Sequence, residues 1–160
     1  MHRIRSTAVA AFLSFAAFTT TQTEAGETTM QKTAKGAFDV KVAPVATTEY
    51  AGGTTLGRFA LEKVFHGTLA GTGSGEMLTA GTAVPGSAGY VAIERVEGSL
   101  DGRKGTFVLQ HSGSMAHGGQ SLTITVVPDS GTGDLVGLAG TLTIEIEGKA
   151  HFYRFEYTLP

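Results

Sequence analysis

The chain of 160 residues contains no cysteine, which removes disulfide staples, thiolate nucleophiles and thiolate metal sites together. Its stability has to come from an apolar core, in what its length marks as one domain. It also lacks a basic stripe: 12 Lys and Arg are set against 14 Asp and Glu, scattered along the chain. Nothing is arranged to hold a row of phosphates, so nucleic acid is excluded as a partner. No apolar run is long enough to cross a bilayer as a permanent helix, and no stable membrane insertion is expected. From Lys35 onward there is almost no helical period.

Motifs of several common chemistries are missing too. His66, His111 and His117 fit no zinc spacing, and no metal site is expected. The run Gly71-Thr-Gly-Ser-Gly75 lacks the lysine and the strand-to-helix setting of a phosphate loop, and reads as a bulged strand. No Gly-x-Ser-x-Gly elbow joins a strand to a helix, which argues against a serine hydrolase. No cofactor is implied.

What is present starts with an export signal. Met1-His-Arg-Ile-Arg5 is basic, Thr7 to Phe18 is apolar apart from Thr7 and Ser14, and Thr23-Glu-Ala25 ends in residues that a signal peptidase accepts. Residues 1–25 are therefore expected to be a signal peptide, 26–34 a flexible mature N-terminus and 35–160 a single β-barrel domain, with the mature protein periplasmic or secreted. No cysteine follows the apolar run to take a lipid anchor. If translation starts at Met30 instead, the protein is cytoplasmic. Cleavage after Ala25 removes Arg3, Arg5 and Glu24 and takes the net charge from −2 to −3.

The remainder alternates with period two. Phe38, Val40 and Val42 mark a first strand, and Pro44 to Gly57 reads as a polar connection turning at Gly52-Gly53. Leu56 to His66 and Gly71 to Ala80 follow as strands, with the corner between them at Gly67 to Gly71. Gly86 to Gly113 forms a long hairpin, and Ser114 to Gly119 a loop. Leu122, Ile124 and Val126 mark a sixth strand, broken at Pro128-Asp-Ser-Gly131. Leu142, Ile144 and Ile146 mark a seventh, and after Gly148-Lys149 the run Tyr153, Phe155, Tyr157, Leu159 marks an eighth. Short strands joined by tight turns predict an all-β fold, an antiparallel sandwich or an up-and-down barrel; eight strands suit a closed antiparallel barrel of lipocalin-like appearance, whose closure leaves no edges.

The hairpin carries most of the unusual polar residues. Asp101-Gly102 suits a two-residue type I′ turn, which sets Leu100 opposite Arg103, Val96 opposite Phe107, Glu94 opposite Leu109, Ala92 opposite His111 and Tyr90 opposite Gly113. Tyr90, Glu94 and His111 then share the face with Val96, Phe107 and Leu109, which has the greater apolar bulk and is assigned inward. The opposite assignment would put Arg95, Gln110 and Ser112 inside, with Arg95 suited to a ligand carboxylate. With the first assignment Val91, Ile93 and Val108 form an outer apolar patch that suits an interface between copies of the chain, a homo-oligomer.

An internal echo extends this face. His66-Gly-Thr-Leu-Ala-Gly71 matches Glu97-Gly-Ser-Leu-Asp-Gly102 in form, and aligning the two brings Lys63 to the position of Glu94. Burial raises a glutamate's pKa and lowers those of histidine and lysine, so Glu94 and His111 are the candidate catalytic groups, as general acid or base. Tyr90, Lys63, Phe107, Leu109, Phe155 and Tyr157 are the candidate ligand-binding residues. The plainer alternative is a hydrogen-bonded network that holds the register.

The runs Gly86-Ser-Ala-Gly-Tyr-Val-Ala-Ile-Glu94, Leu109-Gln-His-Ser-Gly113 and Val127-Pro-Asp-Ser-Gly-Thr-Gly-Asp-Leu135 resemble a family of small bacterial proteins known only as a domain of unknown function and grouped with the allene oxide cyclase-like barrels. The resemblance covers nearly all of Lys35 to Leu159. Ser130 to Gly140 is also similar to the glycine-threonine-glycine loop of allene oxide cyclases and dirigent proteins. This resemblance implies an eight-stranded barrel, often oligomeric, with a cavity for a hydrophobic small molecule; no catalytic residue of either enzyme matches a position here. The leading expectation is an exported barrel that binds a small hydrophobic or amphipathic molecule in its lumen. A cofactor-free isomerase or cyclase using Glu94 and His111, and a packed barrel acting as a structural or interaction module, are the alternatives.

Overall fold

A computed structural model describes residues 30–160; the expected signal peptide and its cleavage site lie outside them. The strands are β1 (Lys32–Tyr50), β2 (Thr54–Gly67), β3 (Leu69–Gly81), β4 (Ala88–Leu100), β5 (Arg103–Ala116), β6 (Gly119–Val126), β7 (Ala139–Glu147) and β8 (Ala150–Thr158). Each pairs with the next, and β8 returns to β1, so the eight strands close an antiparallel barrel. This is the architecture the alternation predicts.

Several strands outrun the pattern. β1 begins at Lys32, inside the stretch expected to be flexible, and continues past Pro44, where the register steps before Ala46, to turn only at Ala51–Gly53. Pro44 to Gly57 is thus mostly ladder rather than connection. Pairs such as Glu49 with Thr55 stand at the rim, exposed or half-buried, so no core imposes alternation on them. β5 likewise runs through Ser114 to Ala116 and turns at His117-Gly118. Gly71 to Gly75 contains no bulge: it pairs with β2 and β4 in unbroken register.

The hairpin of β4 and β5 follows the counted register. Asp101 and Gly102 both take positive φ, 53° and 82°, and Leu100, Val96, Glu94, Ala92 and Tyr90 lie opposite Arg103, Phe107, Leu109, His111 and Gly113. Val96, Phe107 and Leu109 point inward and are buried, while Arg95 points out to Glu97. The echoed turn is built differently. Gly67, at φ 105°, is at the corner of β2 and β3, whereas Gly98 still lies within β4. The repeated residues instead meet side by side, Leu69 beside Leu100 and Gly71 beside Gly98. Lys63 nevertheless shares the interior with Glu94.

The barrel is weakly sewn between β6 and β7, which share one ladder pair, Thr125 with Thr141. The segment after β6 stands in for the missing strand along β5. Thr106 N–H donates to Thr132 Oγ1 (3.0 Å), Val108 N–H donates to Ser130 Oγ (3.0 Å), and Thr132 N–H donates to the Thr106 carbonyl (2.8 Å). Hydroxyl oxygens thereby satisfy β5 donors that a strand would otherwise serve. A 3-10 turn at Gly133–Leu135 then drops Leu135, with Leu138 after it, into the core.

The interior divides into two halves. Toward the corners at Gly67 and Asp101-Gly102, Leu69, Leu100, Phe107, Leu109, Leu135, Phe155, Tyr157 and Leu159 pack solid, with the Phe107 and Phe155 rings stacked at 5.8 Å. Toward the turns at Gly52-Gly53, His117-Gly118 and Gly148-Lys149 the lumen stays hollow.

Candidate functional site

The hollow half holds a cavity of about 200 Å³. Phe38, Val40, Leu61, Met77, Ala92 and Ile144 contribute apolar wall, and Val42, Leu122 and Ile146 surround the mouth. Lys63, Tyr90, His111 and His151 are its polar lining residues.

Lys63 and Glu94 meet below the cavity although β3 runs between their strands. Lys63 Nζ donates to Glu94 Oε2 at 2.7 Å, with the side chains 5% and 0% exposed. The bond passes over Gly73 and Gly75, the residues paired with Lys63 and Glu94 respectively. A β-carbon at Gly73 would fall on Glu94 Oε1, so the glycine-rich strand is there to make room. The rings of Phe38 and Phe65 flank the ammonium at 5.0 and 5.6 Å, a favourable setting for a cation.

His111 Nε2 lies 3.1 Å from the same Glu94 oxygen, close but poorly aligned for a hydrogen bond. It is an electrostatic contact, and among the described residues neither His111 Nε2 nor Glu94 Oε1 has a hydrogen-bond partner. Burial is the largest influence on the Glu94 carboxyl and pushes its pKa up, but His111 and Lys63 together outweigh it and hold the group below the usual carboxylate range. The cation across β3 is what opposes burial here. Glu94 is an anion in a clamped pair.

Tyr90 is half-buried at the mouth, its ring leaning over Gly113, where a β-carbon would collide with it. Burial pushes the phenol's pKa up, so it stays protonated as a donor. Four expected ligand-binding residues are elsewhere. Phe107, Leu109, Phe155 and Tyr157 are core residues of the packed half and do not line the cavity. Period two identifies an inward face but not the depth along it, and these aromatics fill the closed end.

His66, His111 and His117 do not gather. His66 lies on the exterior, 2.9 Å from Asp39, and His117 occupies the β5–β6 turn at φ 51°. His151 was missed by the sequence reading; it lines the cavity with its ring 5.2 Å from that of Phe38. One more step of the alternation back from Tyr153 would have found it.

The sequence profile described as protein of unknown function (DUF3224) matches residues 34–157. The chain belongs to this family. A crystal structure of a DUF3224 protein with unknown function from Shewanella oneidensis MR-1 is 52% identical to it, with a TM-score of 0.78, covering 82% of this chain and 98% of that one. Among curated proteins none matches. Membership thus supplies a shared barrel and no activity, and the chemistry of the DUF3224 site has to be argued from its geometry.

Proposed function

We propose that the protein binds a small hydrophobic or amphipathic molecule in the hollow half of its barrel. The observation that carries this is the unequal filling of one lumen: residues such as Phe107, Phe155 and Leu109 are 0–1% exposed, while the other half keeps a cavity of about 200 Å³. Protein interiors close to crystal-like density when nothing opposes it, so a hollow of this size, apolar in its walls and open at a mouth, is suited to a guest. By liquid volume it has room for roughly seven waters, which limits the guest to a compact molecule or to one end of a longer one. The resemblance to allene oxide cyclase-like barrels, whose cavities hold hydrophobic small molecules, supports the same reading. Glu94, bonded to Lys63 at 2.7 Å and outside the cavity lining, is poorly placed to exchange a proton with a guest, which favours binding over an isomerase or cyclase that uses it.

Ala92, 3% exposed and in the cavity wall, gives the test. The fluorescence of 1-naphthol should saturate on titration with the wild-type protein, and Ala92→Phe, which fills the space, should abolish saturation. Ile144→Trp should do the same from the opposite wall. A signal that never saturates, or binding unchanged in both variants, contradicts the proposal.

A further inference from the structure

Resting on that reading, we propose that the guest enters with an uncharged hydrogen-bond acceptor leading, a carbonyl group held by the ammonium of Lys63 at the cavity floor. Lys63 Nζ carries three N–H donors, and among the described residues its hydrogen-bond acceptor is Glu94 Oε2 alone. Phe38 and Phe65 cover two flanks of the ammonium. Lys63 lines the cavity while Glu94 lies behind it, fully buried and outside the lining. The side of the pair that a guest meets is therefore its donor side. A carbonyl oxygen there receives a charge-assisted bond that an alkyl chain cannot.

Charge decides between a neutral acceptor and an anion. The Lys63–Glu94 pair is already neutral as a unit, with both side chains 5% exposed or less. A carboxylate guest would place a second anion near Glu94 with no fixed cation to match it, since the other polar lining residues are Tyr90, His111 and His151. An unmatched buried charge is strongly unfavourable, so the anion is disfavoured unless a histidine takes up a proton with it. A ketone, ester or amide needs no such compensation.

The infrared band of a bound carbonyl reads this contact directly. With 2-heptanone added to the full-length wild-type protein, a bound C=O stretch is expected at lower frequency than in hydrocarbon solvent, as for an oxygen accepting from an ammonium. In Lys63→Met/Glu94→Gln, where both charges go together, the band should return to the hydrocarbon position, and the ketone should bind about tenfold more weakly. Hexanoate at pH 8 should bind more weakly than the ketone to the wild type. A bound ketone whose band sits at the hydrocarbon position, a shift that survives in the double variant, or tighter binding of hexanoate would each overturn the inference while leaving a binding cavity. If neither 2-heptanone nor 1-naphthol binds, the inference and the proposed function fall together. Where the double variant does not fold, a wild-type band at the hydrocarbon position or tighter binding of hexanoate still overturns the inference.

Discussion

Gly73 is the residue on which the buried pair depends, because a single β-carbon there would occupy the place of Glu94 Oε1. With that space left open, Lys63 and Glu94 bond across β3 in a setting where losing one partner leaves an uncompensated charge. Lys63→Met alone is expected to cost about 3–5 kcal/mol, and Lys63→Met/Glu94→Gln distinctly less, in chemical denaturation at neutral pH. The pair also carries a pH signature. The carboxyl's folded pKa lies below its ordinary value of 4.5, so its stabilisation is complete above that value and is lost as the pH falls from there through the folded pKa. Wild-type stability should decline through that acid window with a component that the double variant lacks, and equal slopes in the two proteins would contradict it. The face of Glu94 and His111 was legible from period two and the Asp101-Gly102 turn, whereas Lys63 was placed beside them by an echo whose two turns are built differently. The ionised state was not, because it depends on three strands meeting over a gap that reads in one dimension as a bulge.

At the scale of elements, the uncommon piece is the segment after β6, which substitutes side-chain hydroxyls for a strand. Ser130→Ala and Thr132→Ala each remove an acceptor from a β5 amide, and each is expected to cost about 1 kcal/mol with faster hydrogen exchange at Val108 and Thr106 respectively. Unchanged protection at those two amides would show that another partner serves them. Pro128-Asp-Ser-Gly131 was legible as the end of β6. Its service to β5 was not, since hydroxyl caps follow no period. The rim segments of β1, β2 and β5 escaped for the related reason that little core contact sorts their faces.

The described residues form a closed barrel filled from one end. Closure was legible from eight alternating stretches without a helical period, and the strand order and the likeness to a related crystal structure bear it out. The division into a packed and a hollow half was not legible, because Leu109 and Phe155 occupy the same kind of inward position as Leu61 and Ile144. What separates them is their distance from the closing corners, where Leu135 and Leu138 add bulk from outside the strands. The central claim is that the hollow half holds a guest, and the most direct measurement is a methyl-resolved NMR titration with 2-heptanone. Saturable shifts and intermolecular NOEs are expected at the methyl groups of Met77, Ala92 and Ile144, inside the cavity. NOEs confined to Leu78, Val91 and Ile93, which are exposed on the outer surface, or no saturable shifts at all, would contradict it.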